Sequence, residues 1–188
     1  MDRDPTRVLD ELLVAAARAG SSAAFGQLVL RWTPRLRQHA ERLLFSAEEA
    51  GDVTQDAWLH IARNLSRLQD TARFPGWAFA IVTRRAIDFI RRRSRERRTV
   101  GAAAAETLAG PASAHGAAGL DASLDLRAAI RRLPVDQRLM VSLHYGEGLS
   151  VEEIATAHGL AAGTVKSRLH AARQTLKNSL EGDGHDEC

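Results

Sequence analysis

The stretch Leu149–Leu176, LSVEEIATAHGLAAGTVKSRLHAARQTL, decides the fold. Ser150 followed three residues later by Glu153 is a capping-box pattern, a hydroxyl and a carboxylate set against the free N–H groups of a first helical turn. Gly159 falls where a helix needs a left-handed C-terminal residue. A second helix follows, with Val165, Leu169, Ala172 and Leu176 at helical spacing. Ile154, Ala155, Leu160, Val165 and Leu169 can close a small core between the two helices. Gly163, Thr164, Lys166, Ser167, His170 and Ala171 are left on the outer side. Small residues at the N-terminal end of such a helix let it enter a major groove, while Lys and Arg meet phosphates. The pattern is that of a helix-turn-helix, although an ordinary helical hairpin with a basic face would look similar.

Working upstream, Leu133-Pro134 marks a helix junction, because proline suits a first helical turn. The helix after it, VDQRLMVSLHYGEGLS, is expected to end at Gly146 and Gly148. Before that lies Thr99–Ser123, TVGAAAAETLAGPASAHGAAGLDAS, which carries almost no bulky apolar residue. Such a segment buries too little surface to offset its ordering entropy, so it reads as a flexible linker. The expected organisation is a unit at 1–98, the linker at 99–123, a helix-turn-helix unit at 124–180 and an acidic tail at 181–188.

The N-terminal unit also reads as helical. Trp58, Ile61, Leu65 and Leu68 form one apolar stripe, and Phe79, Val82, Ala86 and Phe89 another. Ser46 with Glu49 repeats the capping-box pattern. The fold class is therefore all-α, with two small helical domains joined by a linker.

The net charge of +3 is unevenly placed. Residues 1–98 hold 18 basic and 12 acidic groups, 124–180 hold 8 and 5, and the tail holds four acids and no base. Two basic blocks point to two sites for a polyanion. The block Thr83–Arg98 contains eight arginines and follows Phe74, Trp77 and Phe79. Aromatics beside arginines suit single-stranded nucleic acid, rings stacking on bases while guanidinium groups hold the backbone. Phe79 is assigned to the core, and Phe74 and Trp77 fit either role. Asp52, Gln55, Asp56 and Arg63 share one helix, an acidic patch in a basic unit. No nucleophile or metal-spaced histidine lies near it, so it is read as a protein-docking face.

No HExxH, GxSxG or P-loop is present, and the seven histidines are scattered. His144 and His158 are read as structural or solvent-facing. Cys188 is the lone cysteine, which leaves neither an internal disulfide nor a cysteine zinc site. The expectations are no enzymatic activity, no cofactor and no metal. Apolar runs are short and MDRDPTRVLDELL lacks a signal-peptide pattern, so a cytoplasmic location without membrane insertion is expected.

DVTQDAWLHIARNL, FPGWAFAIVTRRAIDFIRRR, a linker, LPVDQRLMVSLHYGEGLSVEEIA and GTVKSRL occur in that order. Together they resemble the extracytoplasmic-function (ECF) sigma factors, bacterial transcription initiation factors, over about Ala23–Arg98 and Leu124–Leu180. The resemblance implies that Asp52, Gln55 and Asp56 dock on a coiled coil of the β′ subunit of core RNA polymerase. It implies that the loop from about Leu68 to Gly76 and the helix after it open the −10 element of promoter DNA and hold a flipped base. Arg73, Phe74, Trp77, Arg84, Arg85, Arg91 and Arg92 are the residues expected there. The helix-turn-helix unit, which the resemblance makes the family's region 4, would read the −35 duplex through Thr164, Lys166, Ser167, Arg168, His170 and Arg173 and bind the β flap. An anti-sigma factor is the regulator that the resemblance implies. Two positions depart from the family pattern: Arg84 stands where Asn is frequent, and Ala171 stands where an Arg often contacts the −35 element. The rival readings are a stand-alone helix-turn-helix regulator and a sigma mimic that only sequesters an anti-sigma factor.

Overall fold

The computed structural model describes residues 5–99 and 120–182, with side chains over 5–96 and 126–180. These residues form eight α-helices: α1 Pro5–Arg18, α2 Ser22–Leu44, α3 Ala47–Asn64, α4 Phe74–Thr99, α5 Leu120–Arg132, α6 Val135–Val141, α7 Val151–His158 and α8 Ala162–Gly182. Two 3-10 turns, Leu65–Arg67 and Thr71–Arg73, connect α3 to α4, and a π turn, Ser142–Gly146, follows α6. No strand occurs among the described residues. Residues 100–119 of the expected linker lie outside the described residues. Leu120–Ser123, placed in the linker from sequence, belong to α5.

The first four helices make one unit. Ser21 Oγ accepts from the Ala24 N–H and starts α2, whose inward face carries Leu28, Trp32, Leu36, Ala40 and Leu43. The helix tolerates Pro34 in its interior and stops at Phe45, a non-glycine residue at φ 57°. Left-handed backbone at such a residue is unfavourable. Here the Phe45 ring lies beneath the guanidinium groups of Arg131 and Arg138, 4.8 and 4.9 Å from its centroid. Ser46 caps α3 as its spacing predicts, but only half the capping box forms: Glu49 pairs with Arg93 at 2.5 Å instead of turning back. The stripe Trp58, Ile61, Leu65 and Leu68 is buried, and so are Phe79, Val82 and Ala86 of α4. Trp32 meets Phe74 and Phe79 edge-on at 5.2 and 5.9 Å, so an aromatic cluster joins α2 to the start of α4.

In the second unit, Pro134 is the N-cap of α6, and Leu133, Val141 and Ala172 pack together against Leu176. The capping box at α7 is complete. Ser150 Oγ accepts from the Glu153 N–H at 3.1 Å, and Glu153 Oε2 accepts from the Ser150 N–H at 2.8 Å. Gly159 at φ 64° ends α7, and the Leu160 N–H returns to the Ala155 carbonyl at 2.9 Å. A side chain there would be strained, which is why the turn takes glycine.

The two units are in contact. One continuous buried cluster contains Leu36, Phe79 and Val82 of the first together with Leu139, Met140, Leu143 and Ile154 of the second. α6, the π turn and α7 lie across α2 and α4, and Gly76 comes so close to α7 that a Cβ there would stand 3.3 Å from that of Ala157.

Candidate nucleic-acid and polymerase interfaces

On α8, Val165, Leu169 and Ala172 point into the core, which fixes the opposite face outward. Lys166, Ser167, His170 and Arg173 are exposed there, and Thr164 is half-buried at its start. Ser167 Oγ donates to the Thr164 carbonyl at 3.0 Å. Arg168 is partly engaged elsewhere, with its guanidinium 3.2 Å from Asp136 of α6. The sequence-derived −35 set therefore gathers on one helix face, with Arg168 at its edge and braced inside the unit.

On α3, Val53, Ala57, Trp58 and Ile61 are buried, and Asp52, Gln55 and Asp56 are exposed. Leu59, 53 % exposed, continues their line one turn on and was not singled out from sequence. Its signal was the i, i+3, i+4, i+7 spacing with Asp52, Gln55 and Asp56.

The residues expected at the −10 element divide. Arg73, Arg84, Arg91 and Arg92 are exposed, whereas Arg85 and Trp77 are half-buried. Arg73 is 3.3 Å from Asp70, and Arg85 donates toward His60 Nδ1 at 3.2 Å. Phe74 is fully buried against Trp32, so in this arrangement its ring belongs to the core and no base can stack on it. Of the two aromatics with an open role, Trp77 alone reaches the surface.

Two histidines lie at the contact between the units. His39 is fully buried, its Nδ1 3.0 Å from Ser142 Oγ and its Nε2 2.9 Å from Thr83 Oγ1. Burial first, then the charges of Arg42 and His158, hold its pKa down to about 3. Burial, followed by the charge of Arg84, lowers that of His158 to about 4. His144 is structural, its Nδ1 2.8 Å from the Leu149 carbonyl. Among the described residues, no group of three His, Cys, Asp or Glu side chains could hold a metal ion. No described helix is long and apolar enough to cross a membrane.

A helix-turn-helix with an open polar face, coupled to a helical unit carrying an exposed acidic strip and an arginine-rich helix, has the layout of a DNA-binding transcription factor. Residues 28–96 match the family Sigma-70 region 2, and residues 123–176 match Sigma-70, region 4. The chain is 33 % identical over 162 residues to the ECF RNA polymerase sigma factor EcfG of Rhodopseudomonas palustris strain TIE-1, covering 85 % of this chain and 86 % of that one. It is 28 % identical to the ECF RNA polymerase sigma factor SigW of Bacillus subtilis strain 168, covering 89 % and 94 %. Among solved structures, it is similar to the sigma factor RpoE in complex with the anti-sigma factor NepR from Bartonella quintana, with TM-score 0.69, 29 % identity, and 84 % and 96 % of the two chains covered. The chain belongs to the ECF RNA polymerase sigma factors.

Proposed function

We propose that this sigma factor engages core RNA polymerase through Asp52, Gln55, Asp56 and Leu59, and reads its promoter through two separate surfaces. The acidic strip of α3 would meet the β′ coiled coil, with Leu59 adding an apolar contact. Trp77, with Arg73, Arg84, Arg85, Arg91 and Arg92, would hold the opened −10 strand, the ring against a flipped base and the arginines along its phosphates. Lys166, Ser167, His170 and Arg173 would enter the major groove of the −35 element, and the C-terminal unit would bind the β flap. The chemistry of RNA synthesis would stay with polymerase. An anti-sigma factor as regulator is supported by the similar solved structures. RpoE is bound to NepR, and CnrH, with TM-score 0.69 and 27 % identity, is bound to the cytosolic domain of CnrY.

The observation that carries this reading is the outward face of α8, set by a complete capping box and a glycine turn in a chain of the sigma family. Capture of bacterial core RNA polymerase by the purified protein, followed by run-off transcription on a fragment library, tests it. Start sites sharing upstream −35 and −10 elements are expected. Duplex binding without polymerase capture would replace the reading with a stand-alone regulator.

A further inference from the structure

Each unit contributes one histidine to the contact between them. His39 of α2 is fully buried, with the Ser142 hydroxyl of the second unit at Nδ1 and the Thr83 hydroxyl of α4 at Nε2. The Phe79 ring lies edge-on to it at 5.2 Å. His158 is the last residue of α7, the helix that packs on α4, and its Nε2 is buried without a hydrogen-bond partner. A neutral imidazole fits both places. An imidazolium carries N–H on both nitrogens and a full charge, and at His158 Nε2 no acceptor meets it.

The charges around the pair also oppose protonation. Arg35 and Arg42 lie on the helix of His39, and Arg42 and His158 act on it through their charge. Arg84 of α4 acts on His158 in the same way. Arg138 of α6 adds a further cation, held at the Leu43 carbonyl at 3.1 Å. Two carboxylates reach the contact, and both are committed. Glu147, whose side chain is only 3 % exposed, meets Arg42 at 2.5 Å and Arg35 at 3.7 Å. Glu153 accepts from the Ser150 N–H and pairs with Arg7 of α1 at 3.2 Å. Neither is left to balance a charged imidazole.

Burial first, and these cations second, hold the pKa of His39 down to about 3 and that of His158 to about 4. Separating the units would take Ser142 and the π turn away from His39, and α4 away from His158. Water would then reach both rings, and each would return toward its ordinary value of 6.5. The two histidines therefore favour the closed arrangement in full above pH 6.5 and weaken it as pH falls below that value.

We propose that His39 and His158 make the contact between the units a proton switch: the closed arrangement requires both imidazoles neutral, and acid drives the folded units apart by protonating them. What separation serves rests on the functional reading above, whereas the switch itself is measured without polymerase or DNA.

Spin labels at Ser66→Cys and Gln174→Cys, exposed positions on different units, in a Cys188→Ser background, report the distance between the units by pulsed electron resonance. One narrow distance is expected at pH 7.5. A longer component should grow between pH 6.5 and 5. The open-to-closed ratio should rise about a hundredfold from pH 7.5 to 5.5, about tenfold for each histidine. His39→Gln and His158→Gln should each leave a rise of about tenfold, and the double variant should keep its distribution over this range. If His39→Gln misfolds, His158→Gln decides alone. A distribution unchanged down to pH 5 overturns the switch, as does an equal response in His158→Gln and the starting protein. Circular dichroism of the same samples should retain the helical signal. Its loss in step with the distance change also overturns the proposal, because acid would then be unfolding the units instead of parting them.

Discussion

His39 lies buried in the contact between α2, α4 and the π turn, where a neutral imidazole donates to one hydroxyl and accepts from the other. Arg35 and Arg42 on its own helix, Glu147 after the π turn and His158 on α7 are the charged or titratable groups around it, and α4 faces it with Thr83 and the Phe79 ring. Its pKa of about 3 is below the ordinary value of 6.5, so the folded form excludes a proton that the unfolded chain takes up. The stabilisation is complete above pH 6.5 and is lost as pH falls below it, continuing toward pH 3. His158 acts in the same direction down to about pH 4. Each histidine should make stability fall with pH in that window, with a slope approaching on the order of 1 kcal/mol per pH unit. Urea denaturation at pH 7, 6 and 5 should show this decline, and His39→Gln should flatten it. An equal pH slope in the variant would mean that His39 does not titrate with unfolding.

At the scale of elements, α8 and α3 each present one outward face because the other is committed to the core. Removing one cation from a DNA phosphate should lower the slope of log K against log salt by about one unit. Lys166→Ala with Arg173→Ala should therefore reduce that slope by about two in −35 duplex binding. Arg168→Ala should change it less, because Asp136 already holds that guanidinium. Salt titrations monitored by fluorescence anisotropy separate the two cases, and an unchanged slope in the double variant would remove α8 from the groove. On α3, Asp52→Arg with Asp56→Arg should abolish capture of core polymerase. Thermal stability should stay within about 0.5 kcal/mol of wild type, since both side chains are exposed. Normal capture would remove the docking strip.

At the scale of the whole molecule, closure can be fixed covalently. Cysteines at Gly76 and Ala157 would place their Cβ atoms 3.3 Å apart, just short of the ~3.5–4.5 Å of disulfides. In a Cys188→Ser background, the oxidised Gly76→Cys/Ala157→Cys protein should be inactive in run-off transcription, and reduction should restore activity. Full activity while the disulfide persists would show that promoter reading tolerates the closed form.

Local signals made much of this fold legible. The Ser150–Glu153 box, the Gly159 turn, the Pro134 junction and the apolar stripes of α3, α4 and α8 are interactions within a few residues, and the sequence states them directly. The outward faces of α3 and α8 followed from the same periodicity. The readings that needed correction or refinement turned on distant partners. Glu49 leaves its capping box for Arg93, Phe74 leaves the surface for Trp32, and Arg168 turns toward Asp136. Helical type, the two units and their family motifs were thus determined by sequence alone, because backbone hydrogen bonding and amphipathic spacing are local. Only the tertiary structure decided that the units close on one another through Arg42–Glu147 and His39–Ser142. Those partners are more than 100 residues apart, and no periodicity couples residues at that separation.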